Sequence, residues 1–427
     1  GYPGSVAATW QRFGRAGRRN KPSLGILVAS SQPLDQYVVR HPDFFAAATP
    51  EHARIAPDQA LILFDHIRCA AFELSFLEDE PFGPIDPTLY LDALAETGVV
   101  HREDERWEWV ADSYPANAVS LRSVADGNFV VVDRSQGKQQ IIAEVDYSAA
   151  ALTLYEGAIH MIQSVPYQVE RLDWEGRKAY VTRTFVDYYT DSIDYTRLKV
   201  LERFDGEIAG QGECRHGEVH VVRRVAGYKK IRYYSHENIG YGPVNLPDQE
   251  LHTSAVWWQV SQTALLHDFA SRQDALDGFL GAAYALHIVA TVAVMADARD
   301  LQKLVGDGDG AWFAMPDESG RGRLLGAESE VDIENHPRFV PTIYLYDNFP
   351  GGIGLSEPLW QRQAELVARA VELVTQCDCK AGCPACVGPV LAIQEEHAQN
   401  TPKQLAGNVL ALLVRAPHVN DADEVQQ

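Results

Sequence analysis

The chain is 427 residues long with a formal net charge of −22, and 46% of its residues are hydrophobic against 22% charged. That length suits roughly two to four domains, each with its own core, and the balance is that of an ordinary soluble globular protein. So much negative charge excludes a surface that holds nucleic acid everywhere and leaves only local basic paths bounded by acid.

No apolar run approaches the roughly 20 residues that cross a bilayer, and no charged-then-apolar leader is visible at Gly1. The expectation is a cytoplasmic protein with no membrane partner. Of the six cysteines, four fall between Cys377 and Cys386 while Cys69 and Cys214 stand alone. That is the usage of a reducing compartment, not of a disulfide scaffold.

The first informative stretch comes early. Gln11, Gly14, Arg15, Gly17 and Arg18 form the pattern Q-x-x-G-R-x-G-R, and no acidic residue occurs through Lys21. Glycines let the backbone approach a ligand closely. Two guanidinium forks three residues apart can then contact one polyanion in a bidentate way. The plainer reading of any Arg-x-x-Arg pair is a basic helix on a solvated face. Leu24 to Val28 is a short apolar run with the character of a strand, and a short helix is expected through Tyr37 and Val38. His41-Pro42 breaks it, because proline removes a donor and fixes the backbone.

From Pro57 to about Val110 the pattern predicts two helices and a ribbon. Leu61 to Phe72 reads as an apolar helix with Cys69 in the core, and Leu89 to Leu94 as a second helix stopped at Gly98. Val99–Arg102 and Arg106–Val110 read as strands around an acidic turn, Glu103-Asp104-Glu105. Helix, helix and β-ribbon make a winged-helix pattern, here with an acidic wing tip that favours a hinge role over base reading.

Residues Tyr114 to about Tyr234 are strand-rich, with β-branched or aromatic runs at Phe129–Val132, Ile141–Val145, Tyr180–Thr182 and Val219–Val222. A barrel or sandwich is expected. Arg223, Arg224, Lys229, Lys230 and Arg232 form a basic cluster, and Lys229, Lys230 and Arg232 are candidate DNA phosphate contacts. Tyr188, Tyr189 and Tyr195 could stack on bases, although strand aromatics are more often core.

Beyond His252 helices are expected, with Thr253–Trp258 opening one segment and an apolar helix from Gly278 to Met295 carrying His287 as a satisfied core residue. Gly306-Asp307-Gly308-Asp309-Gly310 lacks the later ligands of a calcium loop and reads as a turn. Ile343–Asp347 reads as a strand, Pro350–Gly354 as a glycine loop, and Glu357 to Thr375 as a helix. A glycine loop before a helix can hold phosphate, but no lysine stands where a nucleotide site requires it.

The strongest chemical signal is Cys377, Cys379, Cys383 and Cys386, a C-x-C-x₃-C-x₂-C tetrad. Four thiolates can enclose a structural Zn²⁺ tetrahedrally. The spacing also leaves iron–sulfur ligation open.

The Gln11–Arg18 stretch resembles motif VI of superfamily 2 helicases. The chain as a whole resembles the MrfA-type (mitomycin repair factor A) DNA helicases at Gly1–Ser5, Val186–Thr190, Gly227–Ile231, the Tyr346–Gly354 loop and the cysteine tetrad. The resemblance implies that Gln11, Gly14, Arg15 and Arg18 face ATP between two RecA-like lobes, with Arg15 and Arg18 as arginine fingers. It also implies a mixed α and β, multidomain fold. Residues 1–48 would end the second RecA-like lobe, 49–113 form a winged helix, 114–250 a β-rich module, and 251–427 a mainly helical zinc-binding domain. No G-x-x-x-x-G-K-[ST] loop occurs in the chain, and Asp317-Glu318 sits in a polar loop instead of closing an apolar strand as a Mg²⁺ ligand pair. The chain is therefore expected to be the C-terminal part of a longer helicase, a monomer inactive without the lobes that supply ATP and Mg²⁺ binding. The implied activity is ATP-dependent 3′–5′ translocation on single-stranded DNA during repair in a bacterial cytoplasm, at the nucleoid. Alternatives are a zinc-containing DNA-binding or adaptor module without a motor, and the helicase of a phage-defence system.

Overall fold

A computed structural model describes residues 1–17, 22–29, 33–40, 42, 58–119, 127–296, 298–317, 321–326, 330–388 and 400–414. Arg18, Arg19, Lys21, His41, Glu318, His397 and the tail beyond Pro417 lie outside them.

Helix α1 (Val6–Phe13) starts where the Ser5 side chain accepts from the Ala8 N–H, and it ends at Gly14. Helix α2 (Pro33–Arg40) follows. The apolar run between them forms no strand: Leu24, Ile26 and Val28 are 80%, 71% and 74% exposed. A strand needs a ladder partner, and none pairs with this run among the described residues.

The winged helix forms as the pattern predicts. Helices α3 (Ala60–Glu73) and α4 (Thr88–Glu96) place Leu63, Ile67, Ala71, Leu91 and Leu94 against Trp107. The wing strands β2 (Val100–Glu103) and β3 (Arg106–Trp109) pair antiparallel, and the short β1 (Phe76–Leu77) adds a third. Cys69 is half-buried at the edge of this core.

The strand-rich stretch takes two forms. Strands β4 (Asn128–Asp133), β5 (Gln140–Asp146), β6 (Ile159–Ile162), β7 (Val165–Asp173) and β8 (Lys178–Arg183) make a sheet ordered β5-β4-β8-β7-β6. Helix α5 (Tyr147–Thr153) packs on it through Ala150 and Ala151. The second form is a hairpin of unusual length, β9 (Tyr188–Ala209) against β10 (Gly212–Arg232). It opens a nine-stranded sheet with β11 (Asn238–Pro243), β12 (Gln249–Val260), β13 (Leu301–Gly306), β14 (Phe313–Pro316), β15 (Gly322–Leu325), β16 (Glu330–Val331) and β17 (Thr342–Asp347). Strands on both sides of residue 250 share this one sheet.

Thr253–Trp258 thus lies on a strand and does not open a helical segment. Val256, Trp257 and Trp258 are buried on both sides of β12. Bulky residues of that kind suit a central strand covered on both faces.

Helices α6 (Gln262–Asp268), α7 (Arg272–Val294), α8 (Ser356–Gln361), α9 (Gln363–Thr375) and α10 (Pro402–Leu412) cover the sheet. The expected Glu357–Thr375 helix is broken at Arg362. Helix α7 is long and apolar enough to cross a bilayer, unlike the expectation from sequence, but 67% of its most apolar window is buried inside the protein. It is a core helix. Gly278 lets α10 cross it closely, since a Cβ there would stand 2.7 Å from the Leu405 carbonyl oxygen. His287 is a satisfied core residue on one side: its Nε2 lies 2.7 Å from the Leu301 carbonyl, and burial pushes its pKa down to about 4. The far end of α10 meets the hairpin tip, where the Gln211 N–H donates to the Leu412 carbonyl at 2.8 Å.

The glycine loop after β17 is held by a buried carboxylate. Asp347 Oδ2 accepts from the Ile353 and Leu355 N–H groups at 2.7 and 3.1 Å. Burial outweighs those bonds and pushes the Asp347 pKa up to about 6. A raised carboxylate favours folding when protonated, so its contribution is complete below the unfolded value and is lost as pH rises from about 4 to about 6. Asp347→Asn keeps an oxygen for both N–H groups and removes the ionisation. The variant should match the parent at pH 4 and exceed it at pH 8 by up to about 3 kcal/mol, measured by denaturant unfolding at both pH values.

Candidate metal centre and nucleic-acid interface

The segment Cys377–Cys386 leaves the end of α9 and wraps under the start of α10. Its sulfurs approach at 3.4 Å (Cys377–Cys383), 3.5 Å (Cys379–Cys386) and 3.7 Å (Cys383–Cys386), and all four lie within 4.8 Å of one another. Four sulfurs at about 2.3 Å from Zn²⁺ define a tetrahedron with edges of roughly 3.8 Å. One ion fits at the centre, and a cluster of several irons needs wider spacing. No fifth side chain or open position is required, which is the form of a structural site.

The backbone is shaped for this loop. Gly382 has φ +130, and a Cβ there would meet Val387 at 2.8 Å. The Cys383 N–H donates to Cys386 Sγ at 3.3 Å. Burial and neighbouring sulfurs push Cys379 up to about 11 and Cys386 higher still. Without a cation these groups resist ionising together, and a divalent ion removes that resistance by releasing their protons.

One contributor was not legible in the sequence. Lys403, far beyond the last cysteine, donates its ammonium to the Cys377 and Cys379 carbonyls at 2.5 and 2.9 Å. Its own N–H donates to the Ala381 carbonyl at 2.9 Å. A capping box of Thr401 and Gln404 fixes that first turn of α10. The positive helix end and the ammonium thus face a centre whose four thiolates exceed the charge of one divalent ion. The only sequence signal was the Thr-Pro-x-Gln start of a helix.

At the other end of the chain, Gln11, Gly14 and Arg15 are exposed where α1 closes into a turn. The Arg15 N–H donates to the Arg12 carbonyl at 3.2 Å and Gly17 has φ +70. Among the described residues no carboxylate pairs with the Arg15 guanidinium. Arg18 lies outside the described residues, so its position relative to Arg15 is not part of this geometry.

The basic cluster on β10 is divided. Lys229 and Lys230 are adjacent on a strand and so face opposite sides of the sheet. Lys230 Nζ sits 5.6 Å from the Tyr188 ring centroid. Arg232 pairs with Asp187 at 3.4 Å and Glu237 at 3.3 Å. Arg224 grips Asp248 through two bonds of 2.8 Å. Cross-strand carboxylates therefore neutralise much of what reads as a basic run. Of the tyrosines, Tyr189 packs on Tyr233 and Tyr195 on Phe313.

Residues 282–387 match the MrfA Zn-binding domain, and residues 55–124 match the winged helix domain of the ATP-dependent helicase HRQ1. The chain is 38% identical to the DUF1998 helicase MrfA in a crystal structure bound to DNA, with a TM-score of 0.59, covering 97% of this chain and 51% of that one. It corresponds to the C-terminal region of an MrfA-type helicase. The ATP-dependent helicase YprA of Bacillus subtilis is 40% identical over 390 residues, 91% of this chain and 48% of the relative. HRQ1 of Saccharomyces cerevisiae is 26% identical over 402 residues, 91% of this chain and 35% of the relative. The chain thus spans between about a third and a half of the length of these relatives.

The matched zinc-binding domain contains the whole tetrad, so the MrfA-type likeness and the sulfur geometry agree on a structural zinc ion held by Cys377, Cys379, Cys383 and Cys386. Cys379→Ser should lower bound zinc well below one equivalent per chain by atomic absorption, and the melting temperature with it. Lys403→Met should retain zinc at rest but lose it faster to a chelator, because the carbonyls of Cys377 and Cys379 lose their shared donor.

Proposed function

We propose that this chain is the C-terminal part of an ATP-dependent superfamily 2 DNA helicase, acting in DNA repair by 3′–5′ translocation on single-stranded DNA. The observation that carries the reading is the exposed Gln11–Gly14–Arg15 turn at the end of a capped helix, in a chain homologous to helicases along 91% of its length. An arginine presented there can reach across a cleft to the γ-phosphate of ATP held by preceding lobes, which also supply the Mg²⁺ site. Arg15 and Arg18 act as arginine fingers, and Gln11 and Gly14 complete that wall of the ATP site. Because no phosphate-cradling loop occurs within these residues, this stretch alone does not hydrolyse ATP.

The remaining parts guide DNA. Residues 1–48 close the second lobe, 49–113 form the winged-helix hinge, 114–250 carry the β-rich module, and 251–427 hold the zinc domain, the last two sharing one sheet. Lys229 is the DNA contact that the sheet geometry favours, with Lys230 and Arg232 able to join only by leaving Tyr188 and their acidic partners. The working form is a monomer in the bacterial cytoplasm, at the nucleoid. Gln59 links two of these parts, since its Nε2 donates to the Pro350 carbonyl at 2.9 Å while its Oε1 caps α3.

The test is DNA-stimulated ATP hydrolysis by the longest natural form of the protein. Arg15→Ala should reduce turnover by about 10³-fold or more and leave bound zinc unchanged. Retained turnover would refute the finger assignment, and no hydrolysis in the parent would favour a DNA-binding module without a motor.

A further inference from the structure

On the outward face of the β9–β10–β11 sheet the side-chain layer has a gap. Gly227 stands at its centre, opposite Ile193 on β9 and Pro243 on β11. A register shift between Val225 and Gly227 bulges Ala226 out of the ladder there. With no side chain at Gly227, a cup of about 300 Å³ opens among Ile193, Tyr195, Gly227, Tyr241 and Pro243. Tyr195 and Tyr241 wall its two ends, and Tyr241 is 59% exposed. The opposite face of the same strands is closed, because Tyr228 stacks on Tyr155 at 5.0 Å and belongs to the core of the five-stranded sheet.

The charges beside the cup follow from the register. Arg224 lies opposite Tyr195 and Lys229 opposite Tyr241, so both share the outward face with Gly227 between them. They stand roughly 15 Å apart along the strand and flank the cup at either end. Asp248 holds the Arg224 guanidinium through two of its donors, which leaves others of the fork to face outward. Asp191 lies across from Lys229 on β9. A flat apolar floor, two tyrosine walls and a cation at each end suit a planar ring whose two neighbours in a chain are anionic.

We propose that this cup seats one unstacked base of a single-stranded nucleic acid, with the phosphates on either side of that base near Arg224 and Lys229. Tyrosine faces accept any base by stacking, so the site grips without reading sequence. The inference rests on the DNA-acting reading above only for the choice of ligand.

The test uses the zinc-loaded chain and a short fluorescent oligothymidylate, with binding followed by anisotropy. Tyr241→Ala should weaken binding roughly 5- to 100-fold, while Tyr241→Phe should bind as the parent does. An oligomer of the same length made of abasic residues should bind the parent and Tyr241→Ala equally, since it has no base to seat. Equal affinity of parent and Tyr241→Ala for the base-containing strand overturns the proposal, as does an equal loss on the abasic strand or no DNA binding by the parent. Retained ATP turnover in Arg15→Ala would remove the motor assignment and leave this binding result standing.

Discussion

Strand β10 is hydrogen-bonded along both edges, to β9 over its whole length and to β12 and then β11 on the other side. Most of the chain takes its position from that double pairing. Through β12 and β17 the strand leads into the core under α7. Through Tyr228 it docks the five-stranded sheet. Two distant sequence regions become one sheet because a central strand leaves no backbone donor unsatisfied on either side.

What was legible in the sequence was local chemistry. The winged helix was readable because its apolar spacing switches from helical period to alternation within 50 residues, and nothing else in the fold competes with it. The cysteine tetrad was readable because all its ligands lie in one loop. Sheet membership was not. Thr253–Trp258 has a composition that suits a buried strand or a buried helix, and only the neighbours β10 and β17 decide between them. The apolar run Leu24–Val28 erred the other way, since strand character has no effect without a partner.

Charge was the least legible property. Five basic residues between Arg223 and Arg232 look like one patch when read along the chain. In the sheet they alternate between faces, and Asp187, Asp194, Asp248 and Glu237 meet several of them across strands. A net charge of −22 makes such partners abundant. What survives as an exposed cationic feature is set by register more than by composition. Lys403 shows the converse: a single lysine, remote in sequence, sits where the backbone carbonyls of two metal ligands converge.

Helix α10 has the metal loop at its first turn and the β9–β10 hairpin tip at its last. Its 11 residues make a rod roughly 16 Å long. Between those ends it lies along α7, with Gly278 allowing the two backbones to touch. The zinc ion therefore does more than close a loop of ten residues. It anchors one end of a strut whose other end steadies the longest hairpin in the protein, so a chelator acting at the sulfurs loosens a hairpin turn that has no metal ligand near it.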